Sequence, residues 1–476
     1  MQVSPTKSNK YIKKVLKDQN LKKALLNATQ STVESRQKII DQTPYWQQLR
    51  QKCHDIKKDV LENLDKYLEQ FEANCQINGI RVHWAQDAEE ACRIILQLAR
   101  ENNVKTVVKS KSLTTEEIGL NKILKENNIN SVETDLGEFI VQLMGQIPSH
   151  LIIPALHLTR QDIGKLFHEK LGCPYTDEPQ ELLKIARSKL RQLFLSADMG
   201  ISGANFGIAE SGCICVVENE ANAHFVTSLP KIHVAVMGIE KIIPSLKTLP
   251  YFLKLLPPNA TGQKISTYVN FIGSASGKKF GEGPQEVHII LLDNGRTKIL
   301  QEPKLRQSLF CVRCGACLNC CPVYQQIGGH SYGWVYMGPI GITLIPLFLG
   351  FSEGRKSPYL CSLCQACYEV CSTNINLPAH ILELRKRIVQ QGFSGKIERM
   401  GLSLWAFFAA HPRLYKIASF MPAKLQYLLP AGLSFPAPGY FKHRCLPRFD
   451  SKGFRKRYLE LTKNKKVFLS NENENE

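Results

Sequence analysis

The sequence predicts an α/β domain, then an α-rich module dense in cysteine, then a helical and basic C-terminal region. Strand-like and helix-like patterns alternate between about residues 80 and 295. Nine of the 16 cysteines fall between Cys311 and Cys371. Residues 401–476 combine apolar helical stretches with an excess of lysine and arginine. Alternation of this kind is typical of a parallel sheet with helices on both faces.

Length and composition limit the class of protein. A chain of 476 residues is long for one domain, and 43% hydrophobic residues suffice for complete cores, which excludes disorder as the main state. We predict a helical N-terminal region at 1–69, the α/β domain at 70–295, the cysteine-rich domain at 296–394 and the C-terminal region at 395–476. The start of the cysteine-rich domain, 296–310, is predicted to be a polar connector.

The formal charge of +19 is concentrated at the two ends of the chain. Residues 1–60 contain 13 lysines and arginines against 5 acidic residues, and residues 401–476 have the same balance. No helix-turn-helix, zinc-finger or RNA-binding signature accompanies this charge, so we expect no nucleic-acid partner. Docking to an acidic protein partner or to an anionic membrane surface explains the basic ends better. An apolar helix predicted at 402–421, with Trp405 and Phe407, offers a hydrophobic anchor.

The sequence predicts no membrane span. The long apolar stretch at 335–351 is interrupted by Pro339, Pro346 and three glycines, and it is too short to cross a bilayer. The first residues lack the apolar run and cleavage site of a secretory signal. We therefore expect a cytoplasmic protein, either free or peripheral on the inner face of the membrane.

The α/β domain is predicted from local periodicity. Its first elements are a strand at 80–84, a helix at 88–101, a strand at 104–110, a helix at 112–127 and a strand at 129–135. The apolar segment 149–157 continues the alternation in the place of a strand, and two helical stretches follow it. Residues 200–295 are rich in strands and glycine.

Two segments of this domain are candidates for a ligand site. The candidate residues are Lys109, Ser110, Lys111, Ser112, Gly203, Asn205, Gly207 and Glu210. The first four lie between a predicted strand and a predicted helix, where free N–H groups and positive charge suit an anion. The alternative is a helix cap with solvated lysines for the first segment and tight turns for the second. No histidine pair has metal-ligand spacing, and the sequence identifies no catalytic residue.

Two cysteine runs share one spacing, with intervals of two, two and three residues. The first run is Cys311, Cys314, Cys317 and Cys321, and the second is Cys361, Cys364, Cys367 and Cys371. In bacterial two-cluster ferredoxins the fourth cysteine of such a run ligates the other cluster. The pattern therefore predicts two [4Fe–4S] clusters. The expected ligands are Cys311, Cys314, Cys317 and Cys371 for cluster 1, and Cys321, Cys361, Cys364 and Cys367 for cluster 2.

A ninth cysteine, Cys320, is left over. Adjacent side chains on a helix diverge by about 100°, so Cys320 and Cys321 cannot both face one cluster. Pro322 and the matched spacing of the second run select Cys321 as the ligand, and Cys320 is then a small packed apolar side chain. The alternative to clusters is a pair of zinc knuckles, but zinc sites separate their cysteine pairs and often use histidine.

The two runs are separated by residues 325–360, a longer segment than a compact ferredoxin needs. Either this segment covers the clusters or docks a redox partner, or it is a helical hairpin packed on the domain.

The sequence resembles the lactate utilization protein B family along nearly its whole length. The resemblance is carried by RVHWAQDAEEA, VVKSKSLTTEEIGLN, VETDLGEFIVQL, GISGANFGIAE, TGQKISTY and CVRCGACLNCCPVYQQIGGHSYGWVYMGPIG. It implies an α/β domain related in fold to ribose-5-phosphate isomerase and CoA-transferase-like proteins, followed by a ferredoxin-like module. It also implies an iron–sulfur subunit that works with a cysteine-rich subunit and a smaller lactate-utilization-domain subunit in oxidising L-lactate to pyruvate.

The second cysteine run departs from the family pattern, because Cys361 is present and Ser372 stands where proline is common. We therefore expect a non-catalytic or co-catalytic electron-transfer subunit. One alternative is a self-contained hydroxy-acid oxidoreductase with its substrate in the α/β domain, although no flavin or nicotinamide fingerprint is present. Another is a binding protein whose clusters respond to redox state or lactate.

Overall fold

The computed structural model describes residue 5 and residues 8–275, 283–393, 395–415, 417–418, 454 and 456–462. The chain divides into two compact units, Met1–Phe393 and Ser394–Glu476. In the part of the chain that the structure describes, no helix is both long enough and apolar enough to cross a membrane.

The first unit begins with four helices. They are α1 (Ser8–Val15), α2 (Gln19–Asp41), α3 (Trp46–Glu62) and α4 (Leu64–Ile77). The apolar faces of these helices do not form a hydrophobic core of their own. Leu25 of α2 and Trp46 of α3 belong to one hydrophobic core with strands of the α/β domain and with Cys314 and Cys321. The N-terminal helices, the α/β domain and the cysteine-rich module therefore share a core.

Ten strands follow, and they form two sheets. The strands are β1 (Arg81–Ala85), β2 (Thr106–Lys109), β3 (Asn130–Glu133), β4 (Met199–Gly203), β5 (Phe206–Ile208), β6 (Cys213–Glu218), β7 (Ile232–Gly238), β8 (Ile242–Ile243), β9 (Tyr268–Ile272) and β10 (Glu286–Leu292). Six of them pair in parallel in the order β1-β10-β7-β4-β2-β3. The other four form a mixed sheet in the order β8-β5-β6-β9.

Nine helices accompany these strands among the described residues of the α/β region. They are α5 (Ala88–Glu101), α6 (Leu113–Glu117), α7 (Leu120–Glu126), α8 (Leu136–Leu143), α9 (Arg160–Leu171), α10 (Pro179–Ser196), α11 (Asn222–Ser228), α12 (Leu249–Thr261) and α13 (Arg296–Leu300).

The parallel sheet is covered on both faces, as the alternating pattern predicts. In β7, Val234 and Val236 pack in a core with α5, whereas Ala235 and Met237 pack in the core that contains α3 and α4. Because both faces are covered, every residue of β7 is buried. A strand in this position reads as a continuous apolar run, which is how the sequence of β7 reads.

Three predicted elements differ from the structure. The single helix expected at 112–127 is divided into α6 and α7 by Gly119, whose φ of 67° leaves the helical region. The segment 149–157 forms turns and no strand. There the backbone N–H and the hydroxyl of Ser149 both donate to the carbonyl of Pro154, and these local bonds replace a strand ladder.

The predicted polar connector is the third difference. Arg296, Leu305, Leu309 and Phe310 in this segment are all buried, so 296–310 is part of the core and not a solvated linker. The charge of Arg296 is satisfied by ion pairs with acidic residues of the α/β domain, and the sequence pattern alone does not reveal these partners.

The cysteine-rich module is built from short helices. They are α14 (Ala316–Asn319), α15 (Tyr324–Ile327), α16 (Gly338–Gly354), α17 (Ala366–Glu369) and α18 (Leu377–Gln390). Residues 338–346 of α16 are buried, and Gly338 packs against Leu318 of α14. This half of the segment between the runs therefore covers the first cysteine loop instead of presenting a docking surface.

The second unit contains helix α19 (Lys396–Ala410). Leu402, Leu404, Trp405 and Phe407 on this helix are exposed. The apolar helix predicted at 402–421 agrees with α19 up to Ala410, and residues 419–421 lie outside the described part of the chain.

Candidate iron–sulfur centre and adjoining cavity

The two cysteine loops have the same backbone conformation, 50 residues apart. In the first, Arg313 and Gly315 have φ values of 60° and 79°, and in the second, Leu363 and Gln365 have φ values of 57° and 68°. Three of these four residues have a side chain that disfavours the left-handed region, so the loop geometry carries a conformational cost. A repeated strained backbone around cysteines is the kind that a functional site maintains.

Backbone N–H groups in and after the two loops donate to sulfur atoms. The contacts are Arg313 N to Cys311 Sγ at 3.4 Å, Leu363 N to Cys361 Sγ at 3.3 Å, Tyr324 N to Cys321 Sγ at 3.5 Å and Ile375 N to Cys371 Sγ at 3.3 Å. The first and last cysteine of each run therefore accept one such bond. Hydrogen bonds to the cysteine sulfurs are among the features that set the potential of an iron–sulfur cluster.

The thiols of the two runs influence one another. Burial is the largest cause that raises the pKa of Cys314 to about 11, and Cys311 and Cys371 act in the same direction. Burial is likewise the largest cause that raises the pKa of Cys321 to about 11, with Cys361 acting in the same direction. Cysteines of different runs therefore lie close enough to interact.

These thiols suit iron atoms held in a cluster. A buried thiolate needs positive charge, and a bound metal supplies it while releasing the proton. A [4Fe–4S] cluster is held by cysteine thiolates, which the two runs supply.

A chain of hydrogen bonds connects Cys314 to the N-terminal helices. The hydroxyl of Ser372 lies 3.2 Å from Cys314 Sγ and accepts a bond from Asn259 Nδ2 at 2.9 Å. Asn259 Oδ1 in turn accepts from Arg36 Nε at 2.6 Å. All four residues are buried. The hydroxyl of Ser372, in the place of the more usual proline, therefore completes a bond to Cys314 Sγ.

The end of the second loop is held by helix α3. Arg50 donates to the carbonyls of Cys371 at 2.7 Å and Tyr368 at 2.9 Å. His54 Nδ1 lies 2.9 Å from the carbonyl of Thr373, a contact that requires the proton on that nitrogen. The backbone carbonyls of Tyr368 and Cys371, at the end of helix α17, are thereby satisfied by a side chain from more than 300 residues earlier in the chain.

Cys320 contacts its own helix, and burial raises its pKa, with Cys367 and Cys321 acting in the same direction. Its Sγ lies 3.6 Å from the carbonyl of Cys317, as expected for a weak S–H donor. The equivalent position in the second run is Val370. An apolar residue thus serves in the same place, which supports the prediction that Cys320 is a packing residue.

A cavity of about 510 Å³ adjoins the first cysteine loop. Its polar lining includes Ser110, Lys111, Ser112, Gly203, Asn205, Lys241 and Arg313. The serines follow β2, Gly203 ends β4, and Lys241 follows β7, so these residues come from the carboxyl ends of neighbouring parallel strands. In the sheet, β2 lies between β3 and β4. The chain passes from β2 to β3 on one side and then crosses to β4 on the other side, which makes this edge a switch point. Ligands of open α/β sheets bind at such points.

The structure separates the candidate ligand residues into two sets. Ser110, Lys111, Ser112, Gly203 and Asn205 line the cavity, and Lys109, Gly207 and Glu210 do not. Ser112 also accepts a bond from the backbone N–H of Thr115, so it caps α6 as the alternative reading expected.

The three remaining candidates have structural surroundings. Lys109 is buried and pairs with Glu133 at 2.5 Å. Gly207 lies against Met237, where a Cβ atom would come within 2.7 Å of the Met237 side chain. Glu210 is exposed at a turn.

A group of buried ion pairs contacts the first cysteine loop through Arg313. Arg296 pairs with Glu240 at 2.5 Å and with Glu117 at 2.9 Å. The guanidinium of Arg313 lies 3.5 Å from Glu240 and 4.7 Å from the ring centre of Tyr336. Burial raises the pKa of Glu240, but Arg296 and Arg313 outweigh burial and lower it to about 2. Glu240 is therefore ionised and holds both arginines.

Sequence reasoning missed most of these supporting residues. Arg313 carried a local signal, since it is a charged residue between two ligand cysteines, and Lys241 carried one as a lysine following a buried strand. Arg36, Asn259 and Arg296 carried none, because their partners lie between 56 and 223 residues away along the chain.

Comparison with known proteins identifies two domains in this chain. Residues 68–292 match the LUD domain and residues 307–375 match the 4Fe-4S dicluster domain. The chain is 39% identical over 460 residues to the Uncharacterized electron transport protein YkgF of Escherichia coli (strain K12), covering 96% of this chain and 97% of that protein. A crystal structure of a DUF162 family protein from Deinococcus radiodurans aligns with a TM-score of 0.27 at 12% identity over 48% of this chain and 98% of that one, too low a score to support an argument.

A second group of relatives carries the name Lactate utilization protein B. The protein of that name from Bacillus cereus (strain AH820) is 40% identical over 422 residues, covering 88% of this chain and 89% of that protein, and the one from Bacillus thuringiensis (strain Al Hakam) matches equally well. The present chain therefore belongs to the lactate utilization protein B family, with a LUD domain and a 4Fe-4S dicluster domain that carries two [4Fe–4S] clusters.

Proposed function

We propose that this protein is the iron–sulfur subunit of a complex that oxidises L-lactate to pyruvate, and that it passes the electrons through its two clusters. The oxidation releases two electrons and two protons, and each cluster carries one electron at a time. The single observation that carries the proposal is the pair of cysteine loops with matching left-handed turns. The names of its relatives, which refer to electron transport and to lactate utilization, agree with it.

The ligands we propose are Cys311, Cys314, Cys317 and Cys371 for cluster 1, and Cys321, Cys361, Cys364 and Cys367 for cluster 2. Support comes from the 3.2 Å contact between Ser372 and Cys314, because it brings the end of the second run beside the first. Further support comes from the pKa of Cys314, which Cys371 raises, and from the pKa of Cys321, which Cys361 raises.

The surroundings of the two loops suggest a direction for electron exchange. Cys364 is exposed, and Tyr359 and Tyr368 near it are also exposed. Cys314 is buried, and its loop adjoins the cavity. We propose that cluster 2 exchanges electrons with a partner subunit and that cluster 1 lies at the inner end of the path.

The test begins with protein prepared without oxygen. Two clusters require about eight irons and eight sulfides per chain. With its partner subunits present, lactate should reduce both clusters, as seen by electron paramagnetic resonance. A fully reconstituted protein that holds zinc only, or four irons, would contradict the cluster assignment. Clusters that stay oxidised in the complete complex would contradict the role in lactate oxidation.

A second candidate function is a hydroxy-acid oxidoreductase that acts alone. The observation that favours it is the cavity beside the first loop, lined by Arg313 and Lys241. Lactate-dependent reduction of an artificial acceptor by the purified chain separates the two candidates. We expect no such activity from the isolated chain, since it has no flavin or nicotinamide fingerprint.

The partners we propose are a cysteine-rich subunit and a smaller lactate-utilization-domain subunit, with docking through the second unit. The exposed apolar residues of α19 and the basic sequence after it suit an acidic protein surface or an anionic membrane. Removing residues 395–476 should preserve both clusters but release the chain from its complex. Charge-driven docking weakens as salt rises, because screening acts beyond about 10 Å at 0.1 M. Full retention of the truncated chain across a salt series would show that this unit does not dock.

A further inference from the structure

We propose that the cavity beside the first cysteine loop binds a small organic carboxylate, with Arg313 and Ser110 as the groups that recognise it. The cavity lies outside the carboxyl ends of β2 and β4, at the switch point of the parallel sheet. Its volume of about 510 Å³ is within the range of roughly 300–1,000 Å³ that small-molecule sites occupy.

Two buried polar groups in the lining lack hydrogen-bond partners. Among the described residues, the hydroxyl of Ser110 has none, and the two terminal nitrogens of Arg313 have none beyond the 3.5 Å ion pair with Glu240. Ser110 is 2% exposed and Arg313 is 7% exposed. An unsatisfied buried polar group costs about 1–3 kcal/mol, and more when it is charged. Both groups line the same cavity, so one anionic ligand can satisfy them together.

The charged side chains around Arg313 include more cations than carboxylates, which favours the binding of an anion. Lys241, Arg296 and Arg313 act on the buried carboxylate of Glu240, and Lys57 donates to its backbone carbonyl. Glu117 is a further carboxylate, and it pairs with Arg296. Lys241 lies on the α/β side of the cavity and has the carbonyl of Ala204 as its hydrogen-bond partner.

Three carboxylates also line the cavity, and each is engaged by backbone N–H groups. Glu218 accepts from Ala223 and His224, Asp135 caps α8, and Glu220 accepts from the N–H of Leu136. Burial raises the pKa of Glu220 to about 7, with Asp135 adding to the rise, so its negative charge is reduced at neutral pH. Among the described residues, none of these three carboxylates pairs with Arg313, whose ion pair is with Glu240 at 3.5 Å.

The rest of the lining indicates a ligand with a carbon skeleton. Leu256, Pro257 and Ala260 of α12 contribute apolar surface next to the polar groups. Gly203 lets the backbone approach closely, because a Cβ atom there would come within 2.7 Å of Ser112 Oγ. A planar guanidinium can bind a carboxylate with two parallel hydrogen bonds. The combination favours an organic carboxylate over inorganic phosphate.

A ligand in this cavity should change the midpoint potential of cluster 1. This expectation rests on the proposed cluster ligands. Arg313 is the residue between Cys311 and Cys314, and its backbone N–H bonds to Cys311 Sγ at 3.4 Å. An anion beside Arg313 adds negative charge next to the first loop. Adding an electron to cluster 1 then becomes less favourable, so its midpoint potential should fall, while that of cluster 2 should change much less.

The experiment uses the holoprotein with both clusters, kept free of oxygen. Pyruvate, lactate and inorganic phosphate are added separately during redox titrations followed by electron paramagnetic resonance, and pyruvate binding is measured by calorimetry. We expect pyruvate and lactate to bind saturably and to lower the potential of cluster 1. An equal effect of phosphate would overturn the assignment to carboxylates. No effect of any of the three would overturn the site, whereas normal cluster reduction in the complete complex would leave the proposed function intact.

Variants away from the cysteine loop keep the test independent of cluster loss. Ser110→Ala and Lys111→Met should retain both clusters and weaken pyruvate binding by roughly tenfold. Lys122→Met is the matched control, because Lys122 is 80% exposed on the same domain, and it should bind as the wild type does. Unchanged pyruvate binding in both Ser110→Ala and Lys111→Met would refute the site. Arg313→Gln should abolish the effect on potential.

Discussion

The two cysteine loops have the same backbone conformation, but their surroundings differ in burial and in ion pairs. Each has two left-handed residues at equivalent positions and a short helix after them. The first loop lies under the α/β domain, where Arg313 and Cys314 are buried and ion pairs to Glu240 support it. The second loop lies at the surface, where Cys364 and Gln365 are exposed.

This difference shows which property belongs to the motif and which to its surroundings. The spacing and the left-handed turns determine how a loop wraps a cluster. Burial, hydrogen bonds to sulfur and nearby charges determine the potential of the cluster and its access to partners. Two copies of one motif can therefore have separate roles in the same electron path.

The largest expected effect comes from replacing the fourth cysteine of each run, which we propose to ligate the cluster of the other run. Cys371→Ala should cost cluster 1, and Cys321→Ala should cost cluster 2, although each cysteine belongs to the other run. Each variant should lose about half of the iron, measured by metal analysis, with the remaining cluster identified by electron paramagnetic resonance. Cys320→Ala is the control and should keep all of the iron. Loss of cluster 2 in Cys371→Ala would mean that the runs do not cross.

A smaller effect should follow from breaking the support of the first loop. Glu240→Gln leaves Arg296 and Arg313 without their shared carboxylate, and removing one partner of a buried pair costs about 3–5 kcal/mol. We expect a lower urea midpoint and earlier loss of cluster 1 than of cluster 2, followed by visible absorbance and resonance spectra.

The control for Glu240→Gln is Glu181→Gln, which removes an exposed pair with Lys184 and should cost less than about 1 kcal/mol. If both variants unfold at the wild-type midpoint, the buried ion pairs do not support the loop.

The exposure of the second loop predicts a difference in chemical sensitivity. Cys364 is exposed and Cys314 is buried, so an oxidant or an iron chelator should reach cluster 2 first. We expect iron release in two phases of equal size, the faster one several-fold faster and accompanied by loss of the cluster 2 signal. Release of cluster 1 in the fast phase would contradict the difference in burial between the loops.

The smallest effect concerns the hydrogen bond from Ser372 to Cys314. Ser372→Ala removes a donor that stabilises the more negative, reduced cluster, so the potential of cluster 1 should fall. A loss of about 1 kcal/mol corresponds to roughly 40 mV for one electron. Ser362→Ala, at an exposed position of the second loop, is the control and should leave both potentials unchanged. A shift confined to cluster 2 would show that Ser372 does not act on Cys314.

Much of the architecture was predictable because it depends on local patterns. The helix expected at 88–101 is α5 with the same bounds, and β7 lies in the region 200–295 that was expected to be rich in strands. The spacing of the two cysteine runs predicted two clusters without any coordinates. The turns at 149–157 were missed because two local bonds outweighed the apolar pattern: Ser149 donates to the carbonyl of Pro154, and His150 Nδ1 accepts from the N–H of Ile152.

The sequence by itself determined the α/β order, the two cluster motifs and five of the residues that line the cavity. Periodicity and spacing act between near neighbours, so they are visible in the chain. Only the tertiary structure decided that Arg313 meets Glu240, that Asn259 links Arg36 to Ser372, and that the cavity opens beside the first loop. These contacts join residues far apart in the chain, and they form because burying the shared core brings otherwise unrelated charges and hydrogen-bonding groups together, where each needs a partner.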